Sequence, residues 1–203
     1  GTLWVGTWTR GLNRLDRTTG RFEVFLSDPA DPNSLSNNSI LCIREDKDGI
    51  LWIGTHGGGL NRFDPTTNIF KRYTEKDGLP NNVVLGLLPD DQGNLWLGTN
   101  RGLSRFTPAT GAFRNFDVYD GLQSNEFDHG AYCRLHDGTL LFGGVGGLNM
   151  FHPDSIRDNS FVPPVVLTGF SVFETPVSLS QPIYSADDIT LSYQDNFFSF
   201  NFV

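Results

Sequence analysis

Cysteine and methionine are scarce in this sequence, and the shortage of cysteine argues against a disulfide-bonded or metal-binding protein. Two cysteines and one methionine occur in 203 residues. Cys42 and Cys133 do not occupy corresponding places in the internal repeats of the chain, which argues against a disulfide between them. No spacing of cysteine and histidine resembles a metal site. We therefore expect two buried free thiols and no metal ligands.

Positive charge and long apolar runs are also in short supply. The chain has 15 basic residues, three of them lysines, against 23 acidic residues, and its formal net charge is −8. An acidic surface repels nucleic-acid phosphates, so we expect no nucleic-acid partner. No apolar run is long enough for a transmembrane helix, and there is no signal peptide. The chain opens inside a repeat without an initiator methionine, so we expect it to be a piece of a longer protein.

Signatures of enzymes are absent as well. The sequence contains no G-x-S-x-G, no H-E-x-x-H and no nucleotide-binding glycine loop. The H-G-G-G that starts at His56 is followed by a strand, so it offers no helix N-terminus to a phosphate. We predict no catalytic residue and no cofactor for this chain.

One short pattern occurs four times and dominates what the sequence does contain. It reads G-T-L-W-V-G-T at Gly1, G-I-L-W-I-G-T at Gly49, G-N-L-W-L-G-T at Gly93 and G-T-L-L-F-G-G at Gly138. A second apolar run, such as G-L-N-R-F-D, follows each copy after a glycine-containing step. The leading glycines are 48, 44 and 45 residues apart. Repeats of this length that are built from short strands are typical of β-propeller blades.

Each repeat contains four strand-like segments joined by tight turns. In the second repeat these are residues 40–45, 51–55, 60–64 and 70–73. Glycine, asparagine and proline occupy the turns between them, as hairpins require, and no window has helical periodicity. We predict an all-β chain in which residues 1–153 form the last blades of a propeller, about four four-stranded blades in all.

The repeats stop near His152, and a different unit begins after residue 164. Residues 154–164 are polar and contain proline, which indicates a linker. The outer strand of the last blade is either missing or formed irregularly by residues 155–161, and the sequence leaves both alternatives open. Residues 165–203 predict the beginning of a truncated β-sandwich. Its strand-like segments are residues 165–173, 189–193 and 197–203, the last with phenylalanines alternating as in a half-buried strand.

Residues that recur in every copy are assigned to the architecture. A tryptophan inside the second strand of three repeats indicates packing between blades. Paired polar residues at the entry to each inner strand favour capping of the turn by side-chain amides over ligand binding. The tryptophans are Trp4, Trp52 and Trp96, with Leu141 in the last copy. The polar pairs are Asn37–Asn38, Asn81–Asn82 and Asn125–Glu126.

Residues that vary at a fixed place in the repeat are free to serve function. The turns between second and third strands lie on the same rim of a propeller as the loops that enter the inner strands. Aromatic faces and planar donors are the groups that recognise sugars, and this rim collects both. An ordinary polar rim is the alternative for each residue taken singly. The candidate ligand-binding residues are Trp8, Arg10, His56, Asn100, Arg101, Tyr119, Glu126, Asp128 and His129.

The repeat L-W-[IV]-G-T followed by G-L-x-R-[FL]-D resembles the two-component-regulator propeller (Reg_prop) repeat. D-G-L-Q-S-N-E-F at Asp120 and D-G-T-L-L-F-G-G-V-G-G-L-N-M-F-H-P at Asp137 are similar to the last blade of such sensors. P-P-V-V-L-T-G-F at Pro163 and L-S-Y-Q-D-N-F-F-S-F-N-F at Leu191 resemble the start of the Ig-like β-sandwich called the triple-tyrosine (Y_Y_Y) domain. The order of these parts is specific, and the resemblance covers essentially the whole chain.

The resemblance implies a periplasmic sensor region of an inner-membrane signalling protein. In that family two propellers of ~7 blades each precede the sandwich, a transmembrane helix and a histidine kinase, often with a fused response regulator. Some relatives carry a diguanylate cyclase instead. The best-known members sense oligosaccharides.

For this chain the resemblance implies a small-molecule ligand, a homodimeric full-length protein and membrane contact only through a helix outside these residues.

Two rival interpretations of the sequence remain open. One is a propeller glycosidase or polysaccharide lyase, which needs converging acids or an arginine cluster on the central axis. Glu126, Asp128 and His129 are close in sequence, but strand alternation is expected to send neighbours to opposite faces. The other is a protein-binding scaffold.

Overall fold

The computed structural model describes residues 1–157, 165–179, 181–186 and 188–203. They divide into two compact units, Gly1–Ile156 and Arg157–Val203, and the division falls inside the predicted linker. The regular structure of the described residues consists of strands in five antiparallel sheets and four three-residue 3-10 turns. The prediction of an all-β chain without helices beyond short turns is confirmed.

The first unit contains four sheets in chain order, and each strand pairs antiparallel with the next strand of its sheet. The first and last sheets have three strands among the described residues, and the two between them have four. The strands are β1 Leu3–Gly6, β2 Leu12–Leu15, β3 Phe22–Phe25, β4 Ile40–Glu45, β5 Leu51–Thr55, β6 Leu60–Asp64, β7 Ile69–Tyr73, β8 Val84–Pro89, β9 Leu95–Thr99, β10 Gly102–Thr107, β11 Ala112–Phe116, β12 Phe127–Arg134, β13 Leu140–Gly144 and β14 Gly147–Phe151.

In the first three sheets, the glycine at the start of the strand before the outer strand is required by that outer strand. Gly59 has φ of 76°, and a Cβ at this position would lie 2.1 Å from the carbonyl oxygen of Tyr73 on the outer strand. Any side chain would therefore force the outer strand away and would also strain the backbone. Gly102 is in the same situation, 2.2 Å from the carbonyl oxygen of Phe116. Gly11 is likewise 2.2 Å from the carbonyl oxygen of Phe25, so the outer strand explains the G-L of the first three copies. At Gly147, in the last copy, no atom lies within 4 Å of such a Cβ, and only its positive φ of 136° favours glycine.

The two faces of a second strand pack into different interfaces, as the alternation predicts. On β5, Leu51 and Ile53 are buried in the core shared with the first sheet, whereas Trp52 is buried in the core shared with the third. Its ring meets Phe106 of the next sheet edge-on, with centroids 5.5 Å apart. The predicted inter-blade role of the recurring tryptophans is confirmed. The corresponding pairs are Trp4 with Phe63 and Trp96 with Phe151.

The prediction of two buried thiols is half right. Cys42 is buried between the second and third sheets, and burial raises the pKa of its thiol to about 12. Cys133 is exposed. It lies on β12, in the last sheet of the first unit, so no following sheet covers it among the described residues.

The polar residues at the entry to each inner strand cap turns as predicted, but the third pair is wrong by one position. The Oδ1 atoms of Asn38, Asn82 and Asn125 accept the backbone N–H of Ser27, Glu75 and Val118 respectively. The residue before each asparagine accepts a second N–H two positions on, and in the third loop that residue is Ser124. The third pair is therefore Ser124–Asn125. Glu126 only donates its backbone N–H to Ser124 and follows the capping pair.

The last sheet ends in a 3-10 turn at Pro153–Ser155, after which Ile156 packs against the core of the third and fourth sheets. The possible outer strand over residues 155–161 lies largely outside the described residues. Hydrogen bonds hold the turn to the third sheet: Gln92 Nε2 donates to Asp154 Oδ1 at 2.6 Å.

The second unit has one three-stranded sheet in the order β16–β15–β17, with β15 Leu167–Val172, β16 Thr175–Pro176 and β17 Phe198–Phe202. The predicted strand over 189–193 is wrong, because Ser192 and Asp195 close a turn through two mutual hydrogen bonds. The predicted half-burial of the phenylalanines is also wrong. Phe198, Phe200 and Phe202 are 48%, 41% and 70% exposed, since no second layer of this unit covers them among the described residues.

Candidate ligand-binding rim

The turns that carry the candidate residues are held by one repeated hydrogen-bond pattern. The hydroxyl of Thr55 donates to the carbonyl oxygen of Gly59 at 2.9 Å and accepts the N–H of Gly58 at 3.1 Å. Gly59 in turn donates its N–H to the carbonyl of Asn82 in the next loop. These bonds fix both ends of the turn, so the side chains between them project from a rigid rim. The corresponding turns begin at Thr7 and Thr99.

Two candidates from adjacent sheets meet on this rim. Trp8 and His56 occupy the same place in successive turns, and their ring centroids are 5.7 Å apart at 54°. Trp8 is 59% exposed, although a tryptophan is large and apolar. The hydroxyl of Ser39 donates to the carbonyl of Trp8, and the N–H of His56 donates to the carbonyl of Ser39. The pair therefore forms an exposed aromatic surface on a fixed backbone.

Arg101 lies apart from that pair, in a polar cleft of about 570 Å³ between two loops of the rim. One wall is the loop over residues 74–82, and the other is the loop over residues 117–125. Each loop contains a 3-10 turn with a capping box, and each turn ends at a left-handed glycine, Gly78 or Gly121. The lining residues are Glu75, Gly78, Leu79, Pro80, Arg101, Asn115, Phe116, Asp117 and Asn125. This set is called the Arg101 cleft below.

Asp128 and His129 do not obey the strand alternation expected of them. The register of β12 with β13 shifts between Phe127 and Tyr132, so four residues of β12 stand opposite Gly143 alone. Both side chains are exposed in consequence. The Nε2 atom of His129 lies 3.0 Å from the carbonyl oxygen of Leu41 on β4, two sheets away. The enlarged bulge places His129 across the inner strands rather than beside the Arg101 cleft.

The remaining candidates occupy separate positions on the rim. Arg10 and Asn100 are exposed in the turns after β1 and β9. Tyr119 is 95% exposed in the 3-10 turn over 118–120. Glu126 precedes β12, and its backbone carbonyl accepts the N–H of Val145. The structure places Trp8 against His56 and places Arg101 in a cleft with residues that were not predicted. It does not gather all nine candidates into one site.

Sequence reasoning missed most of the residues that surround Arg101. Glu75, Asn115 and Asp117 were not singled out, because they come from an outer strand and two loops that are up to 42 residues apart. One signal was available in the aligned loops T-E-K-D-G-L and D-V-Y-D-G-L. Glu75 stands where the next loop has Val118, so it departs from the repeat.

A second cavity of about 510 Å³ lies at the opposite end of the strands, between the first hairpins of the second and third sheets. Its acids are largely committed to the fold. Asp46 and Asp90 accept the indole N–H of Trp52 and Trp96 at 2.9 and 3.0 Å, as well as backbone N–H groups. Asp91 pairs with Arg134. This cavity is therefore a weaker candidate than the rim.

Within the described ranges no group of three or more histidine, cysteine, aspartate or glutamate side chains could hold a metal ion. The same residues include no helix long and apolar enough to cross a lipid bilayer.

The successive antiparallel sheets of the first unit have the architecture of β-propeller blades, with exposed aromatic and polar side chains along one rim. Residues 34–57 and 78–101 match the family model described as the two component regulator propeller. Each match runs from the loop before an inner strand to the turn that carries the rim residues. These two segments are therefore similar to repeats of this family.

The chain is similar to "Histidine kinase P4" of Formosa agariphila, with 41% identity over 135 residues that cover 63% of this chain and 10% of the relative. The fold is similar to the extracellular domain of BT3049 from B. thetaiotaomicron, described as a hybrid two component system, with a TM-score of 0.56 and 23% identity. It is also similar to the extracellular domain of BT4673 from the same organism, with a TM-score of 0.57 and 22% identity.

These matches cover 99% and 100% of this chain but only 33% and 26% of the two solved structures. The chain thus spans a third or less of the length of these two structures and of the Formosa agariphila relative.

Proposed function

We propose that this chain is part of the periplasmic ligand-sensing region of a transmembrane two-component sensor, a histidine kinase or hybrid kinase, and that its rim recognises an oligosaccharide. The relative in Formosa agariphila and the extracellular domains of similar fold support the class of protein. No step of the kinase reaction is assigned to these residues.

One observation carries the choice of ligand. Trp8 breaks the repeat, leaves 59% of its surface exposed and lies against His56 on a rim whose backbone is fixed by hydrogen bonds. An aromatic face of this kind stacks on the C–H groups of a sugar ring, while neighbouring polar groups bond its hydroxyls. Burial in the fold does not explain Trp8, whereas it does explain Trp4, Trp52 and Trp96.

The signal that the sensor transmits depends on a difference in ligand affinity between two conformations. A ligand that binds one arrangement of the periplasmic region more tightly than another shifts the population toward that arrangement. We propose that a homodimer transmits this shift to its membrane helices. The chain itself would perform no turnover.

The test is calorimetric titration of the full-length protein with neutral and acidic oligosaccharides, combined with analysis of products. We expect binding without release of new reducing ends, and we expect Trp8→Ala to weaken binding at least tenfold without unfolding the protein. Thr2→Ala, at an exposed residue just before β1, is the control that should bind normally. Release of reducing ends would instead favour a glycosidase or lyase, and unchanged affinity in Trp8→Ala would exclude the Trp8–His56 pair from the ligand site.

A further inference from the structure

The Arg101 cleft exists because one repeat differs from the one before it. Gly58 and Arg101 occupy the same place, since each donates its backbone N–H to the threonine that starts its turn. A Cβ on Gly58 would lie 2.3 Å from the hydroxyl oxygen of Ser36, so the preceding loop closes over that turn. In the next repeat the loop is shaped differently, and the space is open and holds an arginine. The fold does not require an arginine there, because its neighbour in the repeat is a glycine.

The walls of the cleft are rigid. Glu75 and Asn82 exchange two hydrogen bonds across their loop, Glu75 N–H to Asn82 Oδ1 at 2.9 Å and Asn82 N–H to Glu75 Oε1 at 3.0 Å. Asn115 on the outer strand β11 donates through Nδ2 to the carbonyl of Gly78 at 2.9 Å, and this bond holds the strand to the same loop. Asn125 is held by the N–H groups of Val118 and Gly102. A site preorganised in this way loses little entropy when a ligand binds.

The side chains of the cleft offer both kinds of hydrogen-bonding partner. The guanidinium of Arg101 is exposed and makes no hydrogen bond or ion pair with any described residue, so its five N–H groups are available as donors. Glu75 and Asp117 contribute carboxylate oxygens, which only accept. Leu79 and Pro80 add an apolar portion of wall.

Charge then selects among ligands. The cleft contains one cationic side chain and two anionic ones, Glu75 and Asp117, and the whole chain has a net charge of −8. A hydroxyl group donates to a carboxylate and accepts from a guanidinium at the same time. The carboxylate group of a uronate and the sulfate group of a sulfated sugar can only accept, and each would face two carboxylates of its own sign, which disfavours such sugars.

We propose that the Arg101 cleft is a subsite for an uncharged sugar residue and that it discriminates against uronic acids and sulfated sugars. Arg101 donates to a hydroxyl oxygen, and Glu75 and Asp117 accept hydroxyl hydrogens. This inference rests on the proposed function, because it names the class of oligosaccharide that the rim takes.

The experiment compares two panels of probes by calorimetry on the full-length protein. The neutral panel contains oligosaccharides of cellulose, xylan, laminarin and starch, and the acidic panel contains oligogalacturonates and sulfated galactans. We expect the best neutral probe to bind at least tenfold more tightly than any acidic probe. Arg101→Ala should weaken that neutral probe about tenfold. Arg17→Ala removes the same charge from the turn between β2 and β3, outside the cleft, and should change nothing.

A double variant isolates the role of charge. Glu75→Gln and Asp117→Asn together keep the oxygens that accept the N–H groups of Asn82 and Tyr119, so the loops retain their bonds. The preference for neutral over acidic probes should narrow at least tenfold in this variant. An acidic probe that binds the wild type as tightly as the neutral ones would overturn the charge selection and leave oligosaccharide sensing intact. Absence of binding to both panels would overturn both proposals, and an unchanged preference in the double variant would overturn the role of Glu75 and Asp117.

Discussion

Trp8 and Trp52 show how the same residue type serves two purposes in one repeat protein. Trp52 is 2% exposed and meets Tyr73 and Phe106, while its indole N–H donates to Asp46. Trp8 is 59% exposed and meets only the ring of His56 among aromatic partners in the described chain. The first is fixed by packing between sheets, and the second is free to contact a ligand.

The two tryptophans should therefore respond differently to truncation. Trp52→Ala leaves a cavity between two sheets and removes the indole donor from Asp46 Oδ2, so it should lower the free energy of unfolding by about 3–5 kcal/mol. Trp8→Ala should change it by less than about 0.5 kcal/mol, as surface substitutions usually do. Urea unfolding monitored by circular dichroism measures both. Similar losses in the two variants would show that Trp8 is a packing residue after all.

The thiols differ in the same way. Burial raises the pKa of Cys42 to about 12, so this thiol remains protonated and unreactive throughout the ordinary pH range. Cys133 is exposed. At pH 8 a maleimide should modify one thiol per native chain and both thiols after denaturation. Mass spectrometry should locate the native modification at Cys133, which Cys133→Ser would abolish. Rapid labelling of Cys42 in the native protein would contradict the close packing of the second and third sheets.

At the scale of elements, the sequence predicts strands better than it predicts loops. Each strand of the second and third sheets repeats its apolar positions, and glycine or an asparagine turn separates it from the next, so both its existence and its faces can be read. Loops lack that redundancy. The pair at residues 124–125 was displaced by one position because the third loop replaces asparagine with serine, and the bulge before Tyr132 breaks the alternation on which the placement of Asp128 depended.

One loop is secured by an interaction that spacing alone does not reveal. The guanidinium of Arg72 on β7 donates to the carbonyl oxygens of Asp31 and Ser34 at 2.7 and 2.9 Å, and to the hydroxyl of Ser34 at 2.7 Å. These acceptors precede it by about 40 residues. They all belong to the loop between β3 and β4, so one side chain holds that loop against the second sheet.

Arg72→Ala should free this loop. The lost charge-assisted hydrogen bonds should lower the free energy of unfolding by about 1.5–3 kcal/mol. Amide hydrogen exchange should accelerate in residues 28–36 more than elsewhere. Lys71→Ala, the adjacent exposed residue on the same strand, is the control and should leave exchange in the loop unchanged. Unaltered exchange in Arg72→Ala would show that the loop is held by its own turns.

At the scale of the whole molecule, the repeat explains why the fold was predictable and the site was not. Four copies of one pattern specify the same strands four times, and neighbouring sheets cover each other's faces. The Arg101 cleft arises where the copies differ, from side chains on loops and an outer strand brought together only by the stacking of sheets. The second unit has no internal repeat, so each of its strands had to be predicted from a single segment. The apolar run at 189–193 predicted a strand, but the Ser192–Asp195 turn interrupts it.

A ligand that binds only the folded protein should stabilise it in proportion to its affinity. At a free concentration 100 times the dissociation constant, the gain in unfolding free energy is about 2.7 kcal/mol. For a domain of this size each kcal/mol raises the melting temperature by about 2–4 °C, so the best neutral oligosaccharide should raise it by roughly 5–11 °C. The shift in melting temperature should increase with the logarithm of ligand concentration.

In Arg101→Ala the same ligand concentration should stabilise the fold by about 1.4 kcal/mol less than in the wild type, the equivalent of the expected tenfold loss of affinity. Differential scanning calorimetry measures both shifts. Equal shifts in wild type and Arg101→Ala would place the sugar outside the Arg101 cleft, because a residue that contributes to binding must contribute to the ligand's stabilisation of the fold.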